Sequence, residues 1–246
     1  MTGELALGIE TSNPSAREGE DAGWRPEVAL ARVGAGAPQL VDREGLDLSN
    51  PHDDDLMPAI ARLCERAGVR PREIRRIAVS VGPGGFTAVR IAAAAAKMIA
   101  EVTGAACVPV PSAWVAACHA MRAGPLEGGL AVALAAKGPT AHVSLFEAGE
   151  LPQPVGDGRL MTREDLCELP GRGVRTVLCD RFLSGIIGET GQIPGLLVWP
   201  SGFDAISCIA MSQLAQAVDP AELVPLYPRE PEAVTKWREL KARRGG

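Results

Sequence analysis

The chain has 246 residues, enough for one domain or two small ones, and apolar residues make up 46% of it, which suffices for a sizeable core. Aromatic residues are only 4%, so that core is built from Ala, Val, Leu and Ile, a composition suited to closely packed helices and strands. The net charge of −5 removes any global electrostatic reason to expect a nucleic-acid or membrane-surface binder.

In chain order, residues 5–9 form a short apolar run closed by Glu10-Thr11-Ser12-Asn13, the pattern of a buried strand followed by a polar turn. Residues 14–26 are polar and carry Pro14, Gly19, Gly23 and Pro26, as a lengthened surface loop would. Residues 28–33 and 39–42 read as the two arms of an antiparallel pair. A helix is predicted over 55–67, with Asp53, Asp54 and Asp55 to cap it and favour its N-terminal dipole, and Gly68 to end it. Pro58 is tolerable there because the first turn has backbone donors without partners. Leu56, Ile60, Leu63 and Ala67 keep helical spacing, and Met57, Ala61 and Cys64 widen that face.

After a motif-bearing stretch from 77 to 104, residues 107–110 read as a strand and 113–121 as a helix. Gly124-Pro125 breaks that pattern, which places the boundary between a first lobe, 1–124, and a second, 125–246. Strands are predicted at 130–135, 141–146 and 175–179, the first two joined by Lys137-Gly138-Pro139. A helix follows over 204–218, with Pro220 beyond it, and the basic tail at 229–244 reads as helical. The fold class is mixed α/β.

The six cysteines form no CxxC pair and lack zinc-ligand spacing, so they read mostly as small core residues. No basic-then-apolar leader opens the chain, and no apolar run is long enough to span a bilayer. A reducing cytoplasm is the expected home.

Residues 77–81 are β-branched and apolar, as a buried central strand should be, and Gly82-Pro83-Gly84-Gly85 follows at once. A strand, a glycine turn and a helix N-terminus can cradle a phosphate. Here no Lys followed by Ser or Thr completes a P-loop and there is no GxGxxG, so the turn reads as structural. Thr87 is positioned to cap the helix predicted over 87–102. Arg90, Lys97 and Glu101 fall on one narrow stripe of that helix, and the rest is Ala, Val, Ile or Met. A helix apolar nearly all round is covered on more than one side. The second cover is either the 55–67 helix of the same chain or a partner.

Catalytic patterns are sparse. His52, His119 and His142 have no HxxxH or HExxH spacing, and no GxSxG elbow is present. His119, on an apolar helix, reads as a hydrogen-bonded core or edge residue.

Three segments together resemble one family: Gly8-Ile9-Glu10-Thr11-Ser12; Gly82-Pro-Gly-Gly-Phe-Thr-Ala-Val-Arg-Ile91 with Ala96-Lys97; and Pro225-Leu-Tyr-Pro-Arg229 with Pro231-Glu-Ala233. The family is TsaB, also called YeaZ, required for threonylcarbamoyladenosine formation on tRNA. The resemblance implies an actin-like ATPase (sugar kinase and Hsp70) superfold of two lobes. It also implies a non-catalytic subunit that binds a TsaD-like partner, which transfers the threonylcarbamoyl group to adenosine 37, with a TsaE-like ATPase joining them. TsaD-like relatives carry Asn-His-x-x-x-His where this chain has Val110-Pro-Ser-Ala-Trp-Val115, without a histidine pair.

Family pairing runs through the first two helices, so the implied partner interface comprises Met57, Ile60, Leu63, Cys64, Ala88, Ile91, Ala92, Ala95 and Met98. No catalytic, cofactor or metal residue is expected. The sequence departs from the family at the 14–26 insert, at Ala135-Ala-Lys137 in place of Asp-Ala-Arg, and at Gly85 and Ala88. The alternatives are a free-standing ATP-using enzyme or M22-like metallopeptidase of the same superfold, and a homodimer using the same helices. The basic tail reads as a solvated helix end, with contact to tRNA phosphates as the alternative.

Overall fold

The computed structural model describes residues 3–12, 25–47, 55–126, 128–136, 138–147, 149–183, 186, 192–228, 237 and 241. The expected loop at 14–26, apart from residues 25 and 26, and the tail helix, apart from Trp237 and Lys241, lie outside these residues, as do Asp53 and Asp54.

The first sheet is formed by β1 (Glu4–Glu10), β2 (Glu27–Val33), β3 (Gln39–Gly45), β4 (Ile74–Ser80) and β5 (Ala106–Val110). α1 (Leu56–Arg66) precedes β4, α2 (Phe86–Thr103) joins β4 to β5, and α3 (Ser112–Ala123) leaves β5. The second sheet follows: β6 (Gly129–Ala135), β7 (Ala141–Glu147), β8 (Gln153–Pro154), β9 (Arg159–Met161), β10 (Val174–Cys179) and β11 (Leu197–Pro200). α4 (Arg163–Cys167) lies between β9 and β10, and α5 (Ala205–Met211) follows β11.

The first sheet runs β3-β2-β1-β4-β5. β2 and β3 are antiparallel to their neighbours, and β4 and β5 continue parallel from β1. The second repeats that order as β8/β9-β7-β6-β10-β11, with β7 antiparallel to β6, and β10 and β11 parallel. One topology built twice, on sequences without a detectable repeat, is the actin-like ATPase superfold.

Alternation along β1 sorts its side chains onto two cores. Leu5, Leu7 and Ile9 face α1 and α2 with Ile77 and Val79 of β4, while Ala6 and Ala78 face the opposite way. That second core contains most of α3 and α5 together with Leu130, Val132, Phe146 and Leu178 of the second sheet. A third core, with Val143, Val177 and Leu166, covers the outer face of the second sheet. The layers are therefore α1/α2, first sheet, α3/α5, second sheet, and the α4 side.

The inner helices exchange places. α3 follows the first sheet in sequence but packs on β6 and β7, whereas α5 follows the second sheet and packs on β1, β2 and β4. Gly8 is where α5 meets β1: a Cβ there would stand 2.5 Å from the Ala205 carbonyl oxygen and 2.8 Å from the Ile209 side chain.

The expected helix over 204–218 is shorter. Asp204 caps α5 by accepting the Ser207 amide, but the helix ends at Met211 in tightened turns, Gln213 N to Ala210 O and Leu214 N to Met211 O. The chain then extends so that Val218 N reaches Cys107 O at 2.8 Å. From there residues 218–228 form a strap beside α2. Lys97 Nζ donates to Ala221 O (3.1 Å), Leu223 enters the α1/α2 core, and Leu226 N donates to Val81 O (2.7 Å). The second cover of α2 comes in part from this strap, a segment whose sequence pattern predicts no such role.

Two helix starts also differ from expectation. Thr87 is the second residue of α2, which is capped by Gly85. Asp55 stands at the α1 N-cap without a side-chain cap bond, because its carboxylate pairs with Arg62 and accepts the Asp47 amide. Arg62 and Arg66 also engage Glu44, and Arg66 engages Asp42, so α1 is fastened to the charged edge strand β3. Such charges blunt an edge against further strand pairing.

A Cβ at Gly8 forces β1 and α5 apart. Gly8→Ala is expected to lower stability by about 1–3 kcal/mol, the usual range for overpacking, in urea unfolding followed by circular dichroism.

Candidate functional site

The three segments that carry the family resemblance are far apart in sequence and meet in space. Ser12 O accepts the Gly85 amide at 2.9 Å, and Thr11 Oγ1 donates to Ala88 O at 3.3 Å. Leu226 N donates to Val81 O, just before the glycine turn. The Gly82–Pro83 peptide is cis, Gly82 has φ +101°, and its carbonyl accepts the Ser112 amide at 2.8 Å, which brings in the start of α3. A Cβ on Gly84 would lie 2.0 Å from Ser12 O, so only glycine allows the two turns to touch. Gly82, Pro83, Gly84 and Gly85 thus pack against β1, α3 and the strap, and the Gly85 amide is already spent on Ser12.

Beneath this junction lies Glu10, 1% exposed. Its Oε1 accepts Ser12 N at 2.7 Å and Ser12 Oγ at 2.6 Å. Ser80 Oγ bonds to Ser12 Oγ at 3.1 Å and shares a 2.9 Å contact with Ser112 Oγ. Glu10 Oε2 has no hydrogen-bond partner. Burial pushes the carboxyl up to about 7, and the Ser12 and Ser80 hydrogen bonds draw it down only in part. Neither the buried acid nor its serines follow from sequence spacing; only the adjacency of β1 and β4 unites them.

The α1/α2 layer divides the expected interface residues into two groups. Ile60, Leu63, Cys64, Ala92 and Ala95 are buried in the core beneath the helices. Their place in a partner surface is corrected on this ground, since they are the faces the two helices turn to their own sheet. Ala88 and Ile91 are half-buried. Met57 and Met98 reach solvent at 42% and 59% exposure.

Sequence reasoning missed Phe86, exposed at 60%, and Val102, at 75%. Phe86, Arg90, Ala94, Met98 and Val102 recur every four residues and form one exposed stripe along α2. At its N-terminal end the Phe86 ring lies 5.5 Å from that of Tyr227, with the Arg90 guanidinium 5.1 Å from the Phe86 ring centre. The signal for the stripe was present in that four-residue period, but which stripe faced the sheet depended on the strand behind it.

Residues 47–153, from the end of the β3 region through β7, match the model of the TsaD family, described as tRNA N6-adenosine threonylcarbamoyltransferase. A solved Pseudomonas aeruginosa structure, described as an uncharacterized protein with similarity to peptidase YEAZ, matches at TM-score 0.70. It has 19% identity over 92% of this chain and 100% of its own. YeaZ from Pseudomonas aeruginosa matches at TM-score 0.66 and 18% identity, over 91% of this chain and 99% of its own. The chain has the YeaZ fold.

Within this YeaZ-like fold a second polar cluster fastens the crossed helices. Asp204, at the start of α5, takes His119 Nδ1 at 2.9 Å and Arg122 Nη1 at 3.1 Å from α3. Burial alone would raise the Asp204 carboxyl, but hydrogen bonds from His119 and Ser207 and the charge of Arg122 outweigh it and hold it at about 2. His119 is thus a helix-to-helix tie. In the second sheet Asp180 is buried and accepts the Ala135 and Phe182 amides, and burial raises its carboxyl. Among the described residues, no helix is long and apolar enough to cross a membrane. Five of the six cysteines are buried and Cys167 is exposed.

Two outcomes follow from the helix faces and the buried acid. Ala92→Glu, which drives a charge into the core, is expected to cost more than ~3 kcal/mol, whereas Met98→Glu on the exposed stripe changes stability by no more than ~0.5 kcal/mol in chemical denaturation. For Glu10 the folded pKa lies above the unfolded one, so its stabilising contribution is full below the unfolded value of 4.5 and is lost as pH rises through about 7. Wild-type protein is expected to lose ~3 kcal/mol from this group between acid and mildly alkaline pH, a slope absent in Glu10→Gln, as read from unfolding curves across pH.

Proposed function

We propose that this chain is a non-catalytic subunit supporting threonylcarbamoyl transfer to adenosine 37 of tRNA, acting by docking a TsaD-like catalytic partner. The observation that carries this reading is the exposed stripe Phe86, Arg90, Ala94, Met98 and Val102, with Met57 exposed on the neighbouring helix. An apolar helix face held rigid by its own sheet and strap, with an aromatic pair and an arginine at one end, has the residue types that anchor protein interfaces. Ala94 at the centre lets a second helix backbone approach closely.

The match of residues 47–153 to the TsaD family and the fold shared with YeaZ support placing the chain in this tRNA modification system. The scaffold role in place of the transferase role draws support from Val110-Pro-Ser-Ala-Trp-Val115, where the histidine pair of TsaD-like relatives is absent from the sequence. It draws further support from the glycine turn, whose Gly85 amide is engaged by Ser12 O. A TsaE-like ATPase is the proposed third component, and the cytoplasm the proposed compartment.

A second reading, a homodimer through the same stripe, is favoured by one pattern. Arg90 and Glu101 are both exposed on α2, so an antiparallel copy whose two-fold axis passes between residues 95 and 96 would set Arg90 against Glu101 twice.

Co-purification with a TsaD homologue tests the first reading. The wild-type chain is expected to form the complex and to show no transferase activity alone. Met98→Glu is expected to weaken the complex ~30-fold or more in titration calorimetry while the chain stays folded. A complex indifferent to Met98→Glu and Ala94→Glu removes the stripe as the interface, and light scattering of the chain by itself decides on the homodimer.

A further inference from the structure

Glu10 is joined to the exposed end of α2 by a short relay of hydrogen bonds. Its Oε1 holds the Ser12 amide and hydroxyl, at 2.7 and 2.6 Å. The Ser12 carbonyl then takes the Gly85 amide at 2.9 Å, and Gly85 is the residue from which α2 starts. Thr11 adds a parallel tie to Ala88 O. One residue beyond Gly85 stands Phe86, and one helical turn further stands Arg90. The contact between Gly84 and Ser12 leaves no slack, since the would-be Cβ position is 2.0 Å from Ser12 O. A shift of the Ser12 turn is therefore a shift of the start of α2.

The same carboxyl has one oxygen, Oε2, without a donor. The groups around it are Ser12 just beyond its own strand, Glu27 directly opposite on β2, Ser80 from β4 with Ser112 of α3 behind it, and Asp204 and Cys208 from α5. None of these side chains is cationic, and Asp204 opposes a second negative charge. Ionised, the carboxylate keeps its two Ser12 donors but stands fully buried beside like charge with no cation to offset it, and solvation by water on opening is the compensation available.

We infer that Glu10 is a positioning residue for the α2 face: with its carboxyl protonated the Ser12 turn closes on Gly84 and Gly85, and on loss of the proton the turn opens to water and releases the first turn of α2. The opening changes where Phe86 and Arg90 stand, so the interface proposed above, on which this consequence for binding rests, is linked to proton occupancy at a site behind it.

Nuclear magnetic resonance of the full chain tests this. The Ser12 amide, bonded directly to Glu10, reports its ionisation; hydrogen-exchange protection of the Gly85 amide reports closure of the turn. From about pH 6 to about pH 8 the Gly85 protection factor of the wild type is expected to fall roughly tenfold, and to stay level in Glu10→Gln. A Ser12 amide that titrates while Gly85 protection stays constant overturns the inference, as does a Ser12 amide that does not titrate at all. The wild-type series stands by itself should Glu10→Gln fail to fold. In a second arm, affinity for a TsaD homologue is measured over the same range, with an expected decline of roughly tenfold that Glu10→Gln abolishes. Loss of Gly85 protection with no complex at any pH leaves Glu10 as inferred and removes the partner reading. A complex whose affinity ignores pH while protection falls overturns the link between the two.

Discussion

The carbonyl of Ser12 occupies the place where a side chain on Gly84 would have to go, and that close approach sets the geometry of much of the first lobe. It brings the end of β1 against the turn leaving β4, so that α2 starts directly from Gly85 over the sheet. Gly82 passes the constraint on by accepting the Ser112 amide, which fixes where α3 begins, and Val81 fixes the strap through Leu226. The glycine-rich turn looks like a ligand cradle in sequence because the requirement is the same in both cases: backbone must come within van der Waals reach of an oxygen. Here the oxygen belongs to the protein.

The second constraint is the crossed pair α3 and α5. Each helix fills the face of the sheet made by the other part of the chain, and Asp204, His119 and Arg122 fasten the two together. The low aromatic content finds its explanation in this layer. Ala113, Ala116, Ala117, Ala205 and Ala210 let helices approach helices and sheets closely, and Gly8 lets α5 descend onto β1.

Much of this was legible in the residues. β1, β2, β4, β5, β6, β7 and β10 follow from apolar runs with the right length and flanking turns, and α1 to α3 from helical spacing. The short strands β8, β9 and β11 carry little periodicity of their own; β11 ends in Pro200 and exposes Leu197 and Trp199, so pairing with β10 decides its state. Residues 212–218 suit a helix locally, but the bridge from Val218 to Cys107 draws them out and α5 ends at Met211. At the candidate site, periodicity identifies α1 and α2 but not the side each helix turns inward, which is why the expected surface includes the buried Ala92 and Leu63 and leaves out the exposed Phe86. Glu10 and Ser12 stand in one of the three resembling segments, but their meeting with Ser80 and Ser112 has no linear signature, because those come from β4 and the start of α3.

The exchange of inner helices also bears on how the chain is made. A ribosome delivers the five strands of the first sheet early, yet the helix that seals the inner face of that sheet is not synthesised until residues 205–211, after the second sheet is complete. Until then Ala6, Gly8 and Ala78 line a face still missing α5, and the nascent first half is an unfinished layer awaiting the far end of the message. A gene split between the two sheets would therefore yield fragments that each lack a helix the other holds.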